Sequence, residues 1–447
     1  MGTISIGLTF GYSAILLPQL KKMEELAEEN REIRIESIDD ESWIASSSTL
    51  PMAPGCWLAS ILMERYGRRT SFLIAFPIFI AGWILIALSN SIGLLIIGRA
   101  CCGLCVGLLG PLGPVYITET AEPKFRGTLL AGVSLATATG VLLCHLIGTW
   151  IHWRSTAYVC CAFPTVCGIL CLLARESPVW LLKKGKVEEA TDSWTYLRSD
   201  RTFQEFESLK NTESTDAQGN KNGSTEITSE WRTILLNWSI LKPLGILGIF
   251  FFTCQFSGLN AVTFYSVQMF HQVSGENGYL GTIILDVVRV LFSGLACSLT
   301  RRYRRRTLML ISGFGVAFTL LSLSICLSMN IGKPWLPMLH LLVYMALVVT
   351  GMVPLPWILC GELFPNKYRA FCSGIASSFT FLCFFTVVKT GPFIFQVLQP
   401  YGTFAFYGLV ALIGTILLDV FLPETKDKTL HEIDNLFTSN LRETRES

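Results

Sequence analysis

Apolar residues along this chain come in long unbroken runs with short polar breaks, not in the one-sided three-to-four-residue spacing of helices that cover a soluble core. A helix needs about 20 such residues to cross a hydrocarbon layer of about 30 Å. Runs of that length lie near residues 3–20, 43–62, 71–89, 92–117, 128–150 and 155–174, and after a polar gap near 243–270, 279–299, 307–327, 335–360, 370–396 and 402–422. The pattern predicts an all-α integral membrane protein with twelve spans. Six form a bundle over 1–174 and six a bundle over 243–422, with a helical and linker segment over 175–242 between them and a tail over 423–447.

Composition narrows the class. The 447 residues are 51% hydrophobic and 15% charged, against about 25% charged in a soluble domain, so a soluble enzyme is disfavoured and bulk disorder is excluded. A net charge of +2 offers no basic excess for a nucleic-acid partner. The positions of the charges say more than their number. Arg65, Arg68, Arg69, Lys124, Arg126, Arg301, Arg302, Arg304, Arg305, Arg306, Lys367 and Arg369 follow runs two, four, eight and ten, while the alternate loops after runs three, five, seven, nine and eleven hold little beyond Arg154 and Lys333. Basic loops resist translocation, which places both chain ends in the cytosol. The first outer loop, 21–42, is the exception, with Lys21, Lys22, Arg31 and Arg34 in an acidic stretch.

Between the halves, Trp180, Leu181, Leu182, Val187, Ala190, Trp194 and Leu197 recur at helical spacing within 175–210, and 211–229 reads as a flexible linker. The 15 cysteines fall inside the runs or at their edges and read as small buried hydrophobes. Cys102 and Cys105 have a metal-like spacing but sit within a run, where packing is the better reading. No zinc, nucleophile or phosphate-loop constellation stands out, so neither an enzyme nor a cofactor is expected.

The halves repeat. Glu119 and Arg126 recur 243 residues on as Glu362 and Arg369, Pro111 recurs as Pro354, and the stretch from Glu64 to Arg69 recurs 237 residues on at 301–306. A duplicated six-helix unit explains this order. Parallel repeats with helices interrupted by Pro and Gly suit a carrier whose halves rock about a midplane site. Glu64, Arg68, Arg69, Glu119, Arg126, Glu176, Arg305, Arg306, Glu362 and Arg369 are then expected to form ion-pair latches at the cytosolic helix ends. Each partly exposed pair is worth about 0–1 kcal/mol, weak enough to reopen in every cycle. Plain positive-inside anchoring is the alternative; it accounts for the arginines but not for the matched Glu119 and Glu362.

These segments resemble the sugar porter family of the major facilitator superfamily. The carriers of the resemblance are Arg65 to Arg69, Gly98 with Arg99, Glu119 to Arg126, Glu176 to Pro178 with Trp180, Gln255 to Asn260, Pro354 to Trp357, Glu362 to Arg369, and Pro423 to Lys426. Within the family the chain is most similar to insect facilitated trehalose transporter-like members. The resemblance implies the twelve-helix major facilitator fold, a plasma-membrane setting, and transport of a hexose or trehalose-like sugar without a cofactor. Twelve-span carriers ordinarily carry a cytosolic tail before the first span; here that span begins almost at Met1, so the sequence reads as a short isoform or an incomplete gene model.

For the site, the resemblance implies Gln255 and Asn260 as amide partners for sugar hydroxyls, Trp357 as a stacking face, and Tyr265 close by. Ser134 and Thr380 fall where the family has Gln and Asn, Cys254 and Phe264 replace a Gln and a Tyr, and Arg289 falls where Asn is frequent. Gln255 and Asn260 could instead cross-link helices, and Trp357 could anchor at the interface. Arg289, at about 2.5–3.5 kcal/mol for mid-membrane insertion, either pairs with Asp286 one turn away or reaches the cavity and adds an anionic preference. Residues 10–14 hold none of the carboxylates that proton-linked members place in span one. Downhill uptake, insensitive to protonophores and to outside pH, is expected. At the gate, Arg304, Val179 and Arg175 depart from the family pattern. The rival readings are a carrier of another small organic solute and a non-transporting nutrient sensor.

Overall fold

The computed structural model describes residues 2–25, 33, 35, 37–198, 206, 207, 210, 238–274, 278–330, 335–364 and 369–424. The first half comprises α1 (Gly2–Glu25), α2 (Ile38–Ser46), α3 (Met52–Tyr66), α4 (Arg68–Ala87), α5 (Ile92–Thr120), α6 (Pro123–Trp150) and α7 (Trp153–Leu173). Two short helices follow, α8 (Pro178–Lys183) and α9 (Val187–Leu197). The second half holds α10 (Trp238–Phe256), α11 (Leu259–Ser274), α12 (Gly278–Arg302), α13 (Arg305–Ser328), α14 (Trp335–Leu347), α15 (Pro354–Glu362), α16 (Arg369–Val397) and α17 (Gln399–Phe421).

Eleven of the expected spans are helices long and apolar enough to cross a membrane. The run over 43–62 is instead split between α2 and α3. The cause is local chemistry. Ser47 and Thr49 turn their hydroxyls onto the carbonyls of Ile44 and Ser46, a competing pattern that ends helices, and Pro51 lacks the N–H that would continue the ladder. Ser37 and Asp40 form a capping box that starts α2 separately.

Two spans of the second half are interrupted. Between α10 and α11, Gly258 takes a φ of 89°, and a Cβ there would lie 2.5 Å from the Tyr407 ring, so only glycine fits. Between α14 and α15 a π-helical turn, Val348–Met352, precedes Pro354. Ser312 of α13 accommodates that turn, accepting from the Met352 N–H at 3.1 Å and donating to the Leu347 carbonyl at 2.7 Å.

Each half packs as its own bundle: α1 on α6, α4 on α5 and α7, and α3 on α5 in the first; α13 on α17 and α14, and α10 on α16 and α17, in the second. The halves meet where α6 packs on α12, α1 on α11, and α16 on α2 and α3. In hydrocarbon the helices gain nothing from apolar burial alone, so close backbone approach matters. On α1 against α6, a Cβ at Gly7 would lie 2.1 Å from the Thr137 carbonyl oxygen, and one at Gly140 2.2 Å from that of Ile4. Among the described residues of the segment between the bundles, 178–197 hold two helices rather than one, divided by Gly185 at a φ of 75°; Leu181, Leu182, Ala190 and Trp194 form a small apolar cluster with Phe206. The linker expected over 211–229 lies outside the described residues.

Gly140→Ala should lower the unfolding midpoint in detergent, overpacking costing about 1–3 kcal/mol. Gly110→Ala, with nothing within 4 Å of its new Cβ, should leave it unchanged or raised. Equal effects of the two would contradict the glycine contact.

Candidate functional site

The interior polar residues gather at the helix breaks and along the seam between the bundles. Gln255 ends α10 and Asn260 opens α11; both are buried, and the Asn260 amide donates to the Gln255 carbonyl oxygen. On the next turn of α11, Thr263 accepts from Arg289 of α12 at 3.0 Å. Arg289 is buried. Asp286, its neighbour one turn away, is engaged elsewhere, against His145 of α6. The structure thus assigns Asp286 and Arg289 different partners, and sequence spacing alone had no means of showing the His145 contact.

The other site expectations are distributed around this corner. Tyr265 is buried, non-helical in φ and ψ, and donates to the Val388 carbonyl at 3.0 Å. Trp357 on α15 is 45% exposed and lies edge-on to Phe251 at 5.1 Å between ring centroids, with Phe381 at 6.4 Å. That half-open face leaves room for a planar or CH-rich contact. Thr380 is buried with its hydroxyl turned onto Ala376 of its own helix, and Ser134 is exposed on α6. Three phenylalanines absent from the expected set join the bundles at mid-helix. Phe10 of α1 sits 5.4 Å from Phe384 of α16 and 6.3 Å from Phe264 of α11, an apolar plug between the halves.

Arg99 of α5, fully buried, meets no carboxylate in its hydrogen bonds. It donates to the Ser13 hydroxyl of α1 at 2.5 Å and, at 3.0 Å each, to the Ala45 carbonyl and the Ser48 hydroxyl. Ser13 belongs to the segment 10–14 that was expected to lack an acid, and a hydroxyl there accepts from the guanidinium without carrying a titratable proton.

At the end of the molecule that carries the basic loops, the two halves build the same device. Arg68 pairs with Glu119 at 2.6 Å, and Glu119 also accepts from the Ser177 hydroxyl at 2.5 Å. Glu176 receives the backbone N–H groups of Arg68 at 2.8 Å and of Arg69 at 3.0 Å, capping the start of α4. In the second half Arg305 pairs with Glu362 at 3.1 Å, and Glu424 receives the N–H groups of Arg305 at 3.1 Å and of Arg306 at 3.2 Å, capping α13. A carboxylate over free N–H groups at a helix start is favoured by both hydrogen bonding and the helix dipole.

Arg69 and Arg306 differ. Arg69 reaches the Leu172 carbonyl at 2.7 Å, whereas Arg306 pairs with Asp419 at 2.7 Å. Glu64 contributes its backbone carbonyl to the Trp180 indole at 3.1 Å. The side chains of Arg126 and Arg369 lie outside the described residues. Sequence reading missed Glu424, although it lies 248 residues after Glu176; the lengthening offset between the repeats hid the match.

Both clusters are internal to one bundle. The seam is joined at this end by other groups: Arg301 donates to Thr128 at 2.8 Å, and the Trp57 indole to Ser378 at 2.5 Å. At the opposite end Lys389 of α16 meets Asp39 at 2.5 Å and Ser42 at 2.8 Å, with its ammonium 4.0 Å from the centroid of the Trp43 ring. Removing a capping charge should cost about 1–2 kcal/mol. Glu176→Gln and Glu424→Gln should therefore each lower the unfolding midpoint, and the double variant should show their sum, because the caps are in separate bundles. A double variant no worse than one single variant would mean that the caps act as one unit.

Comparison with known proteins gives a consistent result. The profile of the "Sugar (and other) transporter" family matches residues 1–437. The chain is 31% identical to the facilitated trehalose transporter Tret1 of Apis mellifera ligustica over 99% of this chain and 88% of that one. It is 32% identical to that of Polypedilum vanderplanki over 99% and 87%. Among solved structures, the major facilitator superfamily proton:xylose symporter XylE, bound to 6-bromo-6-deoxy-D-glucose, superposes with a TM-score of 0.78 at 24% identity over 98% of both chains. An inward-open form of XylE from E. coli gives 0.76 at 23% identity, over 97% of this chain and 98% of that one. At those identities the structures speak for the fold, and the fold is theirs: two six-helix bundles of the major facilitator type. With its sequence matched from residue 1 to residue 437, this chain belongs to the sugar transporter family of multi-pass membrane proteins.

Proposed function

We propose that the protein is a facilitated carrier that moves a hexose or a trehalose-like disaccharide through a membrane, the plasma membrane by preference, by alternating access between its two bundles. The observation that carries the reading is the pair Gln255 and Asn260, bonded to each other at a helix break. Two amides held together at an interrupted helix offer donors and acceptors in fixed array to a ring of hydroxyl groups. Trp357 supplies the stacking face, Tyr265 adds a contact from α11, and Arg289, Ser134 and Thr380 add contacts from α12, α6 and α16. The likeness to trehalose transporters supports the sugar class.

Downhill transport is supported by Ser13, which offers Arg99 a hydroxyl and no acid. In this reading both chain ends and the segment 175–242 face the cytosol, following the basic loops. The clusters of Arg68, Arg69, Glu119 and Glu176, and of Arg305, Arg306, Glu362 and Glu424, keep each bundle rigid at that face while the seam opens and closes, with Glu64, Arg126 and Arg369 on the same face. A second reading, a carrier for another small organic solute, is favoured by one observation: Arg289 hydrogen-bonds a neutral hydroxyl, that of Thr263, while its neighbour Asp286 is hydrogen-bonded to His145.

Purified protein in liposomes, offered labelled glucose, fructose, trehalose, a polyol and an organic anion, separates these readings. The expected result is saturable counterflow of a sugar, with a net uptake that never exceeds the outside concentration and is unchanged by a protonophore. Gln255→Ala should lower uptake efficiency at least about tenfold, the equivalent of about 1.4 kcal/mol. Counterflow of the anion alone, abolished in Arg289→Ala, would overturn the sugar assignment; saturable binding without any counterflow would overturn transport.

A further inference from the structure

One acid–base contact that joins the two bundles is fully buried. His145 of α6 and Asp286 of α12 are 1% and 2% exposed at their side chains, and imidazole Nδ1 is hydrogen-bonded to carboxylate Oδ2. The other ring nitrogen, Nε2, lies 2.9 Å from the carbonyl oxygen of Gly11 on α1. A Cβ at Gly11 would come within 3.1 Å of Nε2, so the helix backbone is pressed against the ring. Three elements therefore meet at one imidazole, at the place where α6 packs on α12 and α1 runs on toward α11.

Counting protons decides the state of this junction. A carbonyl oxygen only accepts, so Nε2 must carry a hydrogen to bond Gly11. With that hydrogen in place, a neutral imidazole turns a lone pair from Nδ1 toward a carboxylate oxygen, which is also a lone pair, and the contact repels. The opposite tautomer satisfies Asp286 and sets the Nε2 lone pair against the Gly11 carbonyl. Both contacts hold together only when the pair carries one additional proton, whether it sits on Nδ1 or on Oδ2.

We propose that His145 and Asp286 are a binding site for one proton at the seam, and that this proton is a ligand of the arrangement in which α6 and α12 are closed on each other. When the seam opens Asp286 withdraws, the Nδ1 proton passes to water as hydronium, and the neutral ring keeps its Nε2 hydrogen on Gly11. Arg289, one turn from Asp286 on α12, interacts electrostatically with that carboxylate and donates to Thr263. The packed elements also carry the phenols and thiols Tyr12 on α1, Cys144 on α6, Cys160 on α7, Tyr265 on α11 and Tyr344 on α14, and at other positions Lys21 on α1, Arg154 on α7, His271 on α11, Arg301 and Arg302 on α12 and His340 on α14. A ligand that binds one of two arrangements shifts the population toward it. The carrier's closed seam is thus favoured as the pH falls, which sets the rate of its cycle without any need for a proton gradient to drive it. The expected pH-independence of uptake followed from the lack of a carboxylate in residues 10–14; Gly11 of that segment enters this site through its backbone carbonyl.

The inference does not rest on the sugar assignment, and its test requires no transport. Full-length protein in detergent is unfolded thermally at intervals from about pH 5 to about pH 8, together with His145→Gln and Asp286→Asn. The bound proton stabilises the folded chain at low pH and is lost as the pH rises, so the unprotonated form should melt at least about 2 °C lower. Both variants should lose this slope relative to the parent; if either fails to fold, the other supplies the comparison. A parent chain with a flat profile, or variants that keep the parent's slope, would overturn the proposal.

Discussion

A charge in hydrocarbon must be paired, hydrogen-bonded or moved to an edge, because the layer supplies no water to solvate it. That constraint organises this molecule. Most described charged groups have been driven to the helix ends, where arginines, carboxylates and the free N–H groups of α4 and α13 satisfy one another in two related clusters. The few that stay inside each have a solution of their own. Arg99 is held by two hydroxyls and a carbonyl, Arg289 by Thr263, and Asp286 by His145.

The division of labour between these groups follows from where they sit. The multiply bonded clusters lie within a bundle and tie its helix ends together. Among the described residues the polar and aromatic links across the seam are scattered: single hydrogen bonds at Arg301 and Trp57, the clasp of Lys389 by Asp39, Ser42 and Trp43, an aromatic plug of Phe10, Phe264 and Phe384, and the buried imidazole. A carrier that must separate its halves on one side and then on the other needs this asymmetry. Contacts that hold through the cycle can be strong, and contacts that break in it must be worth little.

Most of the fold was legible in the sequence, because a bilayer demands long apolar runs and tolerates charge only at their ends. The exception is instructive. The run over 43–62 contains hydroxyls at 46–49 and a proline at 51, which redirect hydrogen bonds locally without lowering hydropathy enough to show. The repeat made Arg68, Glu119, Arg305 and Glu362 legible, since matched charges at one offset stand out; Glu424 escaped because the offset drifts along the chain. The candidate site was less legible. Gln255 and Asn260 could be singled out by type, but that they bond to each other depends on the break at Gly258. His145 carried no signal at all: a lone histidine in an apolar run acquires its meaning from a partner 141 residues away.

Two rigid halves moving about a weak seam is the central claim, and cross-linking across the far end tests it most directly. With Asp39→Cys and Lys389→Cys introduced together where the side chains now meet at 2.5 Å, a short bifunctional reagent should tie α2 to α16. A matched pair at Lys21 and Glu41, 2.7 Å apart in one bundle, serves as the comparison, and the unsubstituted chain controls for its own cysteines. Solute exchange in liposomes should stop when positions 39 and 389 are tied and return on reduction, while tying 21 to 41 should leave it running. Exchange that continues with the seam tied, or stops equally with the tie inside one bundle, would contradict it.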